Sequence, residues 1–199
     1  MLLVPPSLFR PAPRRVFQQT ASDTADLTNY SFASQPFGAA RADRHIVLAI
    51  HGFVDAARTI SSVTIGGVSA APVAFVQTGT SREISALYIA KVPTGATGTV
   101  AVNFSGQMLA CQIGIWAVYD LVSATPDNTG TSSASPGAFS LSTVAKGLAF
   151  GVGTRLAGTS AAWTGLSEDW DVSASGGLYT GASVPTTGAA ISVSLAYTG

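Results

Sequence analysis

The side chains able to do chemistry are few and widely scattered along this 199-residue chain. Two histidines, His45 and His51, bracket the apolar run Ile46-Val47-Leu48-Ala49-Ile50. They share strand parity, but six residues at ~3.3 Å each place them about 20 Å apart, too far to share a metal ion. Asp55 follows His51 at a spacing suited to a local turn hydrogen bond rather than a ligand set. Cys111 is the single cysteine, which excludes an intrachain disulfide and a cysteine-rich zinc site. It alternates with Ile113, Ile115, Ala117 and Tyr119, and that parity marks a buried thiol rather than a nucleophile. The acidic cluster Glu168-Asp169-Trp170-Asp171 lies close to Trp163. Carboxylates beside indoles can hold a sugar ring, so Trp163, Glu168, Asp169 and Trp170 form a candidate carbohydrate site. The competing reading is a solvated turn with its Trp in the core. Calcium would need six to eight oxygens, more than this cluster offers. A glycosidase would need two carboxylates facing each other across the bond, which neighbours on one turn do not provide.

The strand ending in His51-Gly52-Phe53 looks like the oxyanion-loop strand of a serine hydrolase. That chemistry requires a Gly-x-Ser-x-Gly elbow and a histidine late in the chain. The nearest matches, Gly67-Val68-Ser69-Ala70-Ala71 and Gly158-Thr159-Ser160-Ala161-Ala162, lack the closing glycine, and both histidines precede residue 52. The residues therefore define no catalytic centre, no metal site and no cofactor site, and a non-enzymatic protein is expected.

The elements that would position these groups read as β-strands. Val100, Val102 and Phe104 alternate with small or polar residues, as do the apolar residues of Ile191–Tyr197 and Phe139–Ser142. Such period-two patterning belongs to half-buried antiparallel strands. Gly66-Gly67 between Ser62–Ile65 and Val68–Ala70 predicts a two-residue hairpin. Further strands are expected at Tyr30–Ala33, Arg44–Phe53, Val73–Gln77, Glu83–Lys91, Met108–Leu121 and Gly147–Thr154. Asp55–Arg58 is long enough for one helical turn. Thr125–Ala138, rich in Ser, Thr, Gly, Asn and Pro, predicts a long exposed loop. About ten strands at this spacing predict an all-β, two-sheet antiparallel sandwich of the jelly-roll or immunoglobulin-like kind over residues 26–199.

Residues 1–25 read differently, as an extended N-terminal arm. Pro5, Pro6, Pro11 and Pro13 exclude helix interior and central strand from its first fifteen residues. Leu2, Leu3, Val4, Leu8 and Phe9 would each leave ~1.5–3 kcal/mol of burial unused on a free arm. The arm is thus expected to be a peg for a neighbouring subunit, with Arg10, Arg14 and Arg15 pairing with carboxylates there. The alternative is a floppy tail.

Ten basic and ten acidic residues leave the chain formally neutral, and charged residues make up only 10% of it. A neutral chain lacks the basic face of a nucleic-acid binder. No apolar run approaches the ~20 residues of a membrane-spanning helix. Met1–Val4 lacks the basic start of a secretory signal and runs into prolines, so synthesis in the cytoplasm is expected. Low charge with zero net charge favours association, and a homo-oligomer is expected.

Four stretches carry a family resemblance: Asp43–Ile50, Thr59–Val68, Gly98–Ser105 and Trp163–Asp169. Together they resemble a loose group of small proteins encoded among the late structural genes of tailed bacteriophages and prophages, notably of alphaproteobacteria. The resemblance spans roughly residues 28–199 and supplies no catalytic residues. It implies a viral structural protein located in the virion, whose partners are other virion proteins. Tail or fibre association is the leading expectation, with capsid decoration and a carbohydrate-binding module as alternatives. Cys111 is expected to stay reduced and buried. A thiol reagent should label it only at the rate of unfolding, and fast stoichiometric labelling of the native protein would contradict that reading.

Overall fold

The computed structural model describes residues 11–78 and 83–198, and no helix occurs among them. Fifteen strands follow one another in these residues: β1 (Arg14–Asp23), β2 (Leu27–Pro36), β3 (His45–Phe53), β4 (Ile60–Ile65), β5 (Val68–Ser69), β6 (Ala71–Gln77), β7 (Glu83–Lys91), β8 (Thr97–Met108), β9 (Ala110–Tyr119), β10 (Gly137–Leu141), β11 (Ala145–Leu156), β12 (Ser160–Thr164), β13 (Ser167–Ala174), β14 (Gly177–Thr187) and β15 (Ile191–Thr198). All strand pairs are antiparallel. They form four sheets where two were expected. The first has the order β2-β8-β4-β5, the second β1-β9-β3-β7-β6, the third β11-β14-β13 and the fourth β10-β15-β12.

The sheets stack in that order. Between the first and second lies the main core, where Tyr30, Val100, Val102 and Phe104 meet Ile46, Leu48, Ile50, Ile113 and Ile115. The opposite face of the second sheet carries Val47, Ala49, Leu87, Trp116 and Val118, and packs on Trp170, Phe150 and Val152 of the third. The third in turn packs on the fourth through Ala149, Ala182, Leu141 and Val193. Strand chemistry matches these positions. β8 faces a core on one side and alternates, whereas every residue of β9 is buried. Burial on both faces turns an alternating pattern into a continuous apolar one.

The Gly66-Gly67 hairpin forms as expected: Ile65 pairs with Val68, and the two glycines have φ of +59° and +80°. Such positive values are what a type I′ turn requires and only glycine takes cheaply. Cys111 is fully buried in the main core, as its parity implied. Burial, aided by the charge of Asp23, pushes its thiol far above the usual range. Asp55–Arg58 forms bends and coil instead of a helical turn. The loop expected at Thr125–Ala138 is irregular up to residue 136 and joins β9 to β10, so it is the connection between the first two sheets and the last two.

The boundary of the arm moves. Residues 14–23 are a sheet strand, β1, paired along its length with β9. Its sequence RRVFQQTASD hides this role because each face is only partly covered, and Gln and Thr fill positions that a free sandwich would give to Val or Ile. At one end of the first two sheets, Arg44 is completely buried without a carboxylate partner among the described residues. Its guanidinium donates to the carbonyls of Gly38, Val92, Thr94 and Gly95, each at 2.7 Å, and so ties two loops to the start of β3. Saturating its donors with carbonyl dipoles offsets the cost of burying the charge.

The second and third sheets approach closely at Trp170, whose ring lies between Gly114 of β9 and Gly181 of β14. A Cβ on Gly181 would stand 2.1 Å from the Trp170 ring, and one on Gly114 would stand 2.3 Å from it. Gly114→Ala should therefore destabilise the fold by roughly 1–3 kcal/mol through overpacking. Urea unfolding measures this directly, and an unchanged midpoint would show that the two sheets are not held at that spacing.

Candidate functional site

Two polar networks and one cavity occupy the space where the second sheet meets the third and fourth. The first network starts at β1. Arg15 donates from Nε to Ser183 Oγ and from Nη2 to Ser183 O, the latter at 2.8 Å. Ser183 in turn donates to Asp169 Oδ2, which also accepts the Trp116 indole N–H at 2.8 Å. Phe17, two residues after Arg15 and on the same face, stacks on Trp170 at 4.9 Å between ring centroids. Trp116 lies 4.5 Å from Trp170 and 6.4 Å from Phe17, so the three rings form one cluster. An Arg, an Asp and three aromatic rings thus join β1 and β9 to β13 and β14.

The second network is centred on Thr154 of β11. Its Oγ1 lies 2.8 Å from His51 Nδ1, 2.8 Å from Ser85 Oγ and 3.1 Å from the carbonyl of Ile84. A carbonyl can only accept, so the single Thr154 hydroxyl proton goes to Ile84 O. Thr154 then accepts from Ser85 and from His51 Nδ1–H. This fixes the His51 tautomer and leaves Nε2 as a buried acceptor without a hydrogen-bond partner among the described residues. Burial drives the His51 pKa down to about 3, so the ring is neutral at pH 7. Activation of a hydroxyl nucleophile requires the hydroxyl to donate to the imidazole. Here the donation runs the other way, and the cluster works as a buried polar tie between β3, β7 and β11.

Beside this tie opens a cavity of about 530 Å³. It runs along β11, the edge strand of the third sheet, and the connection after β9 covers it. Leu87 and Ile89 of the second sheet, Phe150 of the third, and Phe139 and Leu141 of the fourth supply apolar walls. Ser85, Thr154, Glu83 and Tyr197 bring polar atoms to it. Glu83 is buried and accepts the Leu156 backbone N–H. Burial, with Glu83 close by, pushes the Tyr197 hydroxyl well above its ordinary range. Phe75, Val122 and Val144, which are 38%, 77% and 48% exposed, stand around the opening. The volume and apolar lining fall in the class of cavities that enclose a bound group, ~300–1,000 Å³.

The groups singled out in the sequence land elsewhere. Leu2, Leu3, Val4, Leu8, Phe9 and Arg10 lie outside the described residues. Arg15 is spent on Ser183 inside the fold, and Arg14 lies over the ring of Tyr119 at 4.6 Å. Arg15 is thus turned inward, whereas Arg14 remains exposed. The cause is the strand character of β1, which aims alternate side chains at the third sheet.

The acidic cluster is a strand, β13, rather than a turn. Asp169 and Asp171 point to different partners, Ser183 with Trp116 and the Ala161 backbone N–H respectively. Trp170 is 7% exposed and Trp163 half-buried, its indole donating to Thr180 Oγ1 at 2.8 Å. The two rings serve two different sheet interfaces and do not form one platform. Glu168 stays exposed, its carboxyl raised by partial burial and by Asp171. His45 and His51 remain at opposite ends of β3. Among the described residues no three His, Cys, Asp or Glu side chains converge in a way that could hold a metal ion.

Sequence reasoning missed Ser85, Thr154 and Ser183, which carry no signal of their own. His51 did carry one: a polar residue at the end of an otherwise apolar run needs a buried partner. Compared with protein-family models, with curated proteins and with solved structures, the chain matches none.

The depressed His51 pKa has a signed consequence for stability. The folded ring stays neutral down to about pH 3, while the unfolded ring takes a proton below its ordinary 6.5. The contribution is complete above pH 6.5 and is lost as pH falls from there toward 3. At pH 4.5, two units below the unfolded value, the wild type should have lost roughly 2–3 kcal/mol through this residue. His51→Gln should flatten that part of the profile in urea unfolding between pH 7 and 4.5. Parallel profiles would contradict the assignment.

Proposed function

We propose that this chain is a non-enzymatic structural subunit of a tailed-bacteriophage virion, associated with the tail or its fibres. The observation that carries the reading is the scarcity of surface charge over a body built entirely of stacked sheets. Ten basic and ten acidic residues serve all 199 positions. Several of these are consumed internally: Arg44 and Glu83 are buried, and Arg15 and Asp169 both bond Ser183 between the second and third sheets. The ion pairs of the described residues are those of Arg41 with Asp43 and Asp120. What remains outside is mostly Ser, Thr, Gly and Ala, a surface that tolerates close neutral contact and gives little repulsion between copies. Permanent packing in a particle uses such a surface well. The resemblance of residues 28–199 to late structural proteins of tailed phages points the same way.

The test is the protein content of purified particles. Quantitative mass spectrometry of gradient-purified virions from the source phage should find this chain at a few to a few dozen copies per particle. Hundreds of copies would move it from the tail to the capsid surface. Absence from the particle would overturn the reading.

A further inference from the structure

The cavity along β11 has a largely apolar lining and three large exposed apolar residues at its mouth; Asp127, Lys146 and Arg155 also border it, and Glu83 is already bonded. The chain also has a strongly apolar N-terminal segment. Residues 1–10 precede the described structure and contain Leu2, Leu3, Val4, Leu8 and Phe9. The chain enters the fold through exposed Pro11 and Ala12 into β1, at one edge of the second sheet. Phe75, at the cavity mouth, lies on β6 at the opposite edge of the same sheet, four strand spacings away. Four spacings of ~4.8 Å put the donor end and the acceptor mouth about 19 Å apart.

We propose that the N-terminal segment of one copy docks in the β11 cavity of a second copy. A donor on one edge and an acceptor on the other is the arrangement of heterologous association, which builds rings or chains of subunits. Proline at positions 5, 6 and 11 prevents the segment from forming a regular ladder with the open edge of β11. The contact is therefore made by side chains, Leu8 and Phe9 entering between the sheet walls while the prolines limit the entropy lost on docking. The proposal deepens the structural reading above by naming the subunit contact.

The experiment uses full-length protein and sedimentation velocity over a range of concentrations. Wild type should self-associate. Leu8→Asp with Phe9→Asp, on the donor, should weaken association about tenfold or more, because each lost apolar burial is worth that factor. Phe75→Asp with Val122→Asp, on the acceptor mouth, should do the same. These mouth positions are exposed, so circular dichroism and melting temperature should match wild type. Val144→Asp at the other lip provides an independent acceptor variant. Mixing the donor-defective and acceptor-defective proteins should restore association, because an intact segment then meets an intact cavity on another molecule. A monomeric wild type, association indifferent to either pair, or a mixture that stays dissociated would each overturn the proposal. A chain found in virions at the expected copy number yet failing the mixing test would leave the virion assignment standing and remove this contact.

Discussion

Burial of the second sheet on both faces is the constraint from which the rest of the architecture follows. β3 and β9 place aliphatic side chains toward the first sheet and an equally apolar set toward the third. A sheet of that composition cannot stop at a two-layer sandwich, because its outer face would leave Val47, Leu87, Trp116 and Val118 in water. At about 25 cal/mol per Å², a buried indole alone contributes on the order of 5 kcal/mol before entropy is counted. The last third of the chain supplies the cover. The third sheet is narrow and needs a fourth sheet on its own far side, and the four-layer stack results.

The interface between the second and third sheets also explains where the chain's few charged and polar groups go. Trp170 enters a slot that exists only because Gly114 and Gly181 lack side chains. Arg15, Ser183, Asp169 and the Trp116 indole satisfy one another along one side of that slot. Ser85, Thr154 and His51 Nδ1 bond one another along the other, while His51 Nε2 has no partner among the described residues. Polar atoms in such a place cost several kcal/mol unless bonded, so both sets act as registers that fix how the sheets sit. β1 belongs to this device. It extends the second sheet by one strand and contributes Arg15 and Phe17.

Narrowness of the third sheet has a second effect. With three strands it covers only part of the five-stranded sheet beneath it, and β11 is left as an open edge. The connection after β9 passes over that edge without adding a strand to it. An apolar cavity bounded by three sheets remains there, on the side of the molecule away from β1. The same geometry that protects the Trp170 interface thereby leaves this cavity open beside β11.

Local chemistry determined the all-β class, the Gly66-Gly67 hairpin, the burial of Cys111 and most strands of the first two sheets. Each rests on periodicity or turn chemistry within a dozen residues. β9 carried more than was read from it: its run from Ala110 to Tyr119, apolar or small at every position but Gln112, is the mark of a strand covered on both faces. β1, β12, β13 and β14 were not legible, because polar or small residues interrupt their apolar alternation, and β1 and β12 take their partners from far along the chain. The roles of Arg15, Asp169 and Thr154 were decided by tertiary structure alone. Arg15 meets Ser183 across 168 residues, and His51 meets Thr154 across 103. No local pattern encodes such a pairing, since each partner becomes specific only when two sheets close on each other and exclude water from the polar atoms between them.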